Sequence, residues 1–362
     1  MRFFAMWLLL FGVAFGNGAL RAVGYGPYLG ETWAQPISVA MGILLFGVTI
    51  WALQKKWPFG SLRQAAEVGL FWIVLTEVTE LVLVVFVFNK GWGTFVEMHN
   101  LFAGEFWIVV IAWLGFAPAL IHRWLNPPPP EQEKLSSGGK RLLLFVYVLI
   151  AVHGLLLFLS AWNIGWERGW LFLSIEIVFF STELWLVALV NPAVLNGRAA
   201  ARSQKNTEPF DLPILRIHVV LVLGLFVVAG LDSGRFNWTT MSTPWSALGI
   251  LSMLVGAVLS AWALITNTFF EPTVRIQTNR DHHVIQDGPY AYVRHPGYLG
   301  MFFLVGSYGL VLGSWIAMGV GALVILNFAI RTALEDKTLH QKLEGYEEYA
   351  RKTRYRLFPG VW

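Results

Sequence analysis

Apolar residues in this chain come in long, almost unbroken runs separated by short polar stretches. The runs lie near 3–20, 36–54, 66–88, 102–121, 141–161, 169–190, 214–231 and 245–267. Each approaches or reaches the roughly 20 residues that carry a helix across the hydrocarbon core of a bilayer. One further apolar stretch, 298–334, would overshoot the membrane as a single helix. The glycines and serines of VGSYGLVLGS, 305–314, predict that it folds back on itself. The pattern therefore predicts an all-α, polytopic membrane helix bundle of about ten transmembrane segments, closed by a C-terminal helical hairpin.

Composition agrees with the pattern: of 362 residues, 56% are hydrophobic and only 13% charged, with 18 Trp and 27 Phe, an apolar excess that excludes an ordinary soluble globule. Charge placement then orients the helices, because loops on the inner side are enriched in Lys and Arg. With the N-terminus inside, only Arg21, Lys90, Arg168 and Arg235 of the 26 basic residues fall outside. Both termini are thereby predicted to be cytoplasmic. The formal charge of +4 reflects this topology and an anionic inner leaflet, not a nucleic-acid surface. Cysteine is absent, which removes disulfides, thiol nucleophiles and Cys-ligated metal. Asn17 and Arg21 follow the first run where a signal peptide would place small residues, so that run is predicted to be a retained helix.

One stretch breaks the apolar pattern, HRWLNPPPPEQEKLSSGGKR at 122–141. Consecutive prolines cannot continue a helix and the polar residues have nothing to bury, so an exposed linker is expected. Three parts follow: an N-terminal four-helix membrane domain at 1–121, a linker at 122–140, and a C-terminal domain at 141–362.

Several ionisable residues fall inside the crossings. Glu77 and Glu80 share a helical face in LTEVTEL, with His99 and Glu105 nearby. Glu176 and Glu183 share a face of the sixth run, with His153 in the fifth as a neighbour. Such groups are costly at membrane depth. They either line a ligand, proton or metal path or hold helices together by hydrogen bonds, and the E-x-x-E spacing does not choose between the two.

The densest chemistry is RIQTNRDHHVIQDGPYAYVRHPGYLG at 275–300, followed after the hairpin by RTALEDKTLHQKLEGYEEYARKTRYRLFPGVW. Prolines interrupt helix, glycines permit turns and close approach, and Tyr290, Tyr292 and Tyr298 offer flat surfaces, which together describe a cytosolic binding loop. His282, His283 and His295 lack a spacing that converges on a metal. Arg331 and Glu335, four apart, place a cation and a carboxylate on one face of the helix leaving the bilayer.

The ordered set Q-x-x-x-x-H-x-V, G-x-Y-x-x-x-RHP-x-Y-x-G, R-x-x-x-E-(D/E)-x-x-L, G-Y-x-x-Y and R-x-x-P resembles the isoprenylcysteine carboxyl methyltransferase family, which is related to the membrane phospholipid methyltransferases. The likeness is strong over roughly 270–362. It is looser back to about 141, where NPAVLNGR and AGLDSGRFNW resemble bacterial members and imply a bacterial inner membrane.

The resemblance implies a membrane enzyme using S-adenosylmethionine on a lipid or small lipophilic acceptor (carboxylate, thiol or amine). Gln277, His282, Val284, Ile285, Tyr290, His295, Pro296, Gly297, Tyr298 and Glu335 would hold the cofactor and Arg331 would position the acceptor. Asp336 stands where many members carry a second Glu. The rival reading is a non-catalytic sensor or transporter working through the intramembrane carboxylates. The N-terminal part, with NGALRAVGYGPYLGE and GLFWIVLTEVTE, resembles a small family of bacterial four-helix membrane proteins, a likeness that brings no activity with it.

Overall fold

Inside a bilayer the backbone must satisfy its own hydrogen bonds, so apolar runs of this length become helices. A computed structural model describes residues 1–127, 133–201 and 206–362 and shows such helices throughout. Nine of the described helices are long and apolar enough to span. They are α1 (Arg2–Leu29), α2 (Glu31–Lys56), α3 (Leu62–Val87), α4 (Trp107–Leu125), α5 (Ser137–Ala161), α6 (Glu167–Val190), α8 (Asp211–Phe236), α9 (Thr243–Thr266) and α11 (Trp315–Lys342). Between them stand the short α7 (Pro192–Ala201) and the apolar α10 (Pro296–Leu312), and α12 (Tyr346–Lys352) follows. At 17 residues, α10 is about 26 Å long, at the lower limit for a crossing. Helices α10 and α11 are the expected hairpin, turned at Gly313 with its positive φ of 76°. The polytopic all-helical bundle read from the sequence is thus what forms.

Boundaries differ from the hydropathy reading in informative places. The first helix runs on to Leu29 through a π-helical turn at Arg21–Tyr25. The fourth starts at Trp107, because Leu101–Ala103 form a separate 3₁₀ turn ending in left-handed Gly104. Helix α4 continues to Leu125 and α5 begins at Ser137, so helix occupies both ends of the expected 122–140 linker; 128–132 lie outside the described residues.

The chain forms two compact units, Met1–Gln132 and Glu133–Trp362. In the first, Gly69 lets α3 lie on the backbone of α4, since a Cβ there would sit 2.2 Å from the Gly115 carbonyl. In the second, the tightest pair is α9 against α10. A Cβ on Gly256 would meet the Gly300 carbonyl at 2.7 Å, and one on Gly300 would meet the Gly256 carbonyl and Ser260 nitrogen at 2.9 Å each. Small residues permit this close approach, and lipid-embedded helices depend on such contact because no hydrophobic gain separates helix from lipid. The α9–α10 contact fixes where the 267–295 segment leaves and re-enters the bundle.

Candidate functional site

Helix α10 starts at the RHP turn. His295 is its N-cap and Pro296 its first residue, a position where proline's missing N–H costs nothing. Two backbone bonds sew this turn to the C-terminal tail, Arg294 N–H to the Tyr355 carbonyl and His295 N–H to the Arg356 carbonyl, both 2.9 Å. Asp336 of α11 then bolts the assembly from below. It accepts from Arg294 through both oxygens (2.8 and 3.0 Å), from Arg356 (2.8 Å) and from Tyr346 (2.9 Å), and lies 3.1 Å from His295 Nε2. Arg294 also donates to the Thr353 and Arg354 carbonyls. Burial opposes its charge, but the Asp336 carboxylate outweighs that and raises its pKa.

One residue earlier on α11, Glu335 faces the other way and accepts from the Tyr298 hydroxyl. Tyr298 in turn accepts from Arg331. Arg331 commits the rest of its guanidinium to Asp211 at the start of α8 (2.7 and 3.2 Å) and to the Pro272 carbonyl (2.6 Å). The second Asp211 oxygen also accepts the Val274 N–H, which ties the loop to the same buried pair.

These two networks frame a cavity of about 790 Å³ of empty space, part of it open to solvent. Of the residues expected around a cofactor, Gln277, His282, Val284, Ile285, Tyr290, His295, Gly297, Tyr298 and Glu335 line it. Pro296 does not; it shapes the turn. Arg331 does not line it either, and reaches it through Tyr298.

Gln277 is itself anchored, donating to the Phe269 carbonyl (2.6 Å) and accepting from Arg280 (2.9 Å). His282 packs on the Phe269 ring at 4.6 Å, and burial followed by the neighbouring His283 pushes its pKa down to about 4, so the imidazole is neutral at pH 7. Gly297 is required because the Phe270 ring lies where a Cβ would be, 2.4 Å away. Tyr290, Leu343, Tyr346 and Tyr349 form the apolar floor, with Val284 and Ile285 against it. Burial raises the pKa of Tyr290 and Tyr346, so both remain neutral phenols. Thr273 also lines the cavity, its buried hydroxyl without a hydrogen-bond partner among the described residues.

The intramembrane carboxylates of this unit are tied into helix contacts. Glu176 lies 2.7 Å from His153 Nδ1, and Glu183 accepts from Ser260 at 2.7 Å. Sequence reasoning missed Asp211, Arg294, Arg356 and Tyr346 as organising residues. Asp211 sits 120 positions from Arg331 and carried no signal. Arg294 and Tyr346 stood inside the quoted motifs, and their roles became visible only with a shared partner.

Fold and site together define a polytopic helical membrane protein whose last hairpin and preceding loop enclose a polar cavity at one end of the bundle. Residues 247–341, which build most of that cavity, match the model of the isoprenylcysteine carboxyl methyltransferase (ICMT) family. A Schizosaccharomyces pombe protein-S-isoprenylcysteine O-methyltransferase is 34% identical over 110 residues, 30% of this chain and 46% of that relative. The "Probable protein-S-isoprenylcysteine O-methyltransferase" of Oryza sativa subsp. indica is 25% identical over 51% of this chain and 93% of its own length. The Rattus norvegicus protein-S-isoprenylcysteine O-methyltransferase is 26% identical over 53% and 64% respectively. The chain thus spans about half the length of the fission-yeast relative. No solved structure matches.

Proposed function

We propose that this chain is an S-adenosylmethionine-dependent membrane methyltransferase acting on a lipophilic or small, membrane-accessible acceptor, a carboxylate, thiol or amine. The observation that carries this reading is the convergence of nine residues from separated motifs onto one cavity inside the family-matched region. The names of the relatives support transfer chemistry over a non-catalytic sensor or transporter.

The donor set fits the proposed cofactor. Glu335 offers a carboxylate to an ammonium or ribose, Thr273 an unsatisfied hydroxyl, and Tyr290 and His282 flat faces to a base. A neutral His282 also avoids placing a second cation beside a sulfonium. The bound cofactor supplies an electrophilic methyl group on that sulfonium. The chain's residues align the acceptor with it and exclude water, and a carboxylate acceptor needs no base because it is already ionised. Arg331, with its fork on Asp211, positions the acceptor side indirectly by holding Tyr298 and Glu335.

In this reading 141–362 is the methyltransferase domain, 1–121 an appended four-helix domain, and both termini are cytoplasmic in a bacterial inner membrane. The distribution of basic residues supports that orientation, and a prenylated small molecule or lipid suits such a membrane better than a prenylated protein. Calorimetry of the full chain in detergent tests the proposal: S-adenosylmethionine binds the wild type and binds His295→Ala and Glu335→Gln weakly. Absence of wild-type binding would refute it. Binding without transfer of labelled methyl into any lipid-extract component would favour the sensor reading.

A further inference from the structure

Arg198 stands outside the residues 247–341 that match the family model, on the short helix α7 between the spans α6 and α8. Its bonding differs from that of the enclosed arginines around the cavity. Arg275 forks onto Glu271 (2.6 and 2.8 Å), Arg294 onto Asp336 and Arg331 onto Asp211. Arg198 has no such carboxylate. Its one hydrogen bond with a described residue runs from Nη1 to the Phe270 carbonyl at a long 3.4 Å, and its guanidinium carbon lies 5.6 Å from the centre of the Phe270 ring. A guanidinium carries N–H donors on all three nitrogens, so most of them are left over. Neither Nε nor Nη2 is sealed off, and the residue is only half-buried, which leaves these donors within reach of a ligand.

Burial works against the charge of Arg198 and lowers its pKa, with Glu183 the chief opposing influence. Glu183 accepts from Ser260 at 2.7 Å and makes no direct ion pair with the guanidinium. Neighbouring contacts hold the side chain at the site. Asn191 Nδ2 donates to the Leu264 carbonyl (3.0 Å) and fastens the start of α7 to the end of α9. Arg280 occupies the notch at Gly197, where a Cβ would collide with it, and joins α7 to the loop that carries Gln277 and His282. Phe270, whose carbonyl Arg198 touches, lines the cofactor cavity, and Tyr298 and Arg331 are near enough to act on the Arg198 charge. Arg331 is filled by Asp211, the Pro272 carbonyl and Tyr298, whereas Arg198 keeps donors to spare beside the same tyrosine.

We propose that Arg198 holds the anionic group of a lipophilic acceptor, a carboxylate or a phosphate, at the membrane edge of the cavity and so makes the site selective for anionic amphiphiles. The proposal rests on the methyltransferase reading, and it assigns to α7 the task that the family resemblance gave to Arg331. An anion supplies both the missing charge and the oxygens for a charge-assisted fork. An alcohol offers an oxygen without the charge, and an ammonium is repelled.

The test titrates the full-length protein in nanodiscs with tritiated dodecanoate and, separately, tritiated dodecanol, read by scintillation proximity with empty nanodiscs subtracted. Unlabelled dodecyl phosphate and dodecylammonium serve as competitors. Dodecanoate or dodecyl phosphate should bind roughly tenfold or more tighter than dodecanol or dodecylammonium. The stronger of the two anions tells a carboxylate from a phosphate group, and either supports the proposal. In Arg198→Gln the advantage over dodecanol disappears, whereas a purely structural lesion would weaken both ligands alike and keep their ratio. Arg198→Lys, which keeps the charge and loses the fork, retains part of the advantage. No preference for anions in the wild type, preference for dodecylammonium, an unchanged ratio in folded Arg198→Gln, or a Lys variant indistinguishable from Gln would overturn the proposal. Calorimetry with S-adenosylmethionine on the same wild-type preparation separates the two readings. Cofactor binding without anion preference overturns this inference alone, and failure of the cofactor to bind overturns the methyltransferase reading and this inference with it.

Discussion

Asp336 and Glu335 are adjacent carboxylates with opposite tasks, and exchanging each for its amide separates them. Asp336 is 1% exposed and holds Arg294, Arg356 and Tyr346, with His295 alongside. Asp336→Asn removes the carboxylate that pairs with Arg294, itself 8% exposed, and an amide cannot accept from two guanidinium groups as a charged carboxylate does. Breaking one partner of a buried ion pair costs about 3–5 kcal/mol, since the remaining charge is left uncompensated. Arg294 keeps its bonds to the Thr353 and Arg354 carbonyls, which places the expected loss toward the lower end, about 3 kcal/mol. The loss falls on the docking of 343–362 rather than on the transmembrane helices. Hydrogen exchange of the tail amides is the direct assay, with a roughly 100-fold or greater fall in protection expected for about 3 kcal/mol if exchange occurs through tail opening. Trypsin should cut faster at Arg351, Arg354 and Arg356. Glu335→Gln should leave tail protection as in wild type and weaken only ligand binding. Unchanged protection in Asp336→Asn, or equal loss in Glu335→Gln, would refute the division of labour.

Three further outcomes follow from particular contacts. Gly300→Val must separate α9 from α10, because its Cβ would sit 2.9 Å from the Gly256 carbonyl; a fall in thermal stability of about 1–3 kcal/mol or more is expected in detergent melts. His282, neutral in the fold with a pKa near 4 against 6.5 in the unfolded chain, binds fewer protons folded than unfolded between those values. Stability therefore falls as pH drops from 6.5 toward 4, and His282→Asn should flatten that part of the pH–melting profile. Near His99, burial opposes the charged ring, but the Glu77 carboxylate outweighs it and raises the pKa. The pair's contribution is full below pH 6.5 and fades as pH rises through the elevated folded value, a slope that Glu77→Gln should abolish while costing about 1–3 kcal/mol for the groups it orphans.

The number and class of helices were legible because hydropathy acts locally: a run of apolar residues of bilayer length has one stable form in lipid. The RHP turn and the Arg331/Glu335 face were legible for a similar reason, since proline, glycine and four-residue spacing constrain the backbone near themselves. Helix ends at Leu29 and Trp107 were not, because a π turn and a left-handed glycine redirect the chain without changing its hydropathy.

Partners were decided by the tertiary structure alone. By itself the sequence determined a multi-helix membrane protein with a cofactor-like block near its C-terminus. It presented Glu77 and Glu80 as equals, and the folded chain locks one onto His99 and Trp107 and leaves the other facing a cavity. It presented Arg331 with Glu335 on one helical face, and packing supplied Asp211 from 120 residues away as the carboxylate that the guanidinium pairs with. Periodicity says which face of a helix a side chain occupies, whereas the cost of a buried charge depends on what another helix brings within hydrogen-bond reach. Only the assembled bundle determines that second distance.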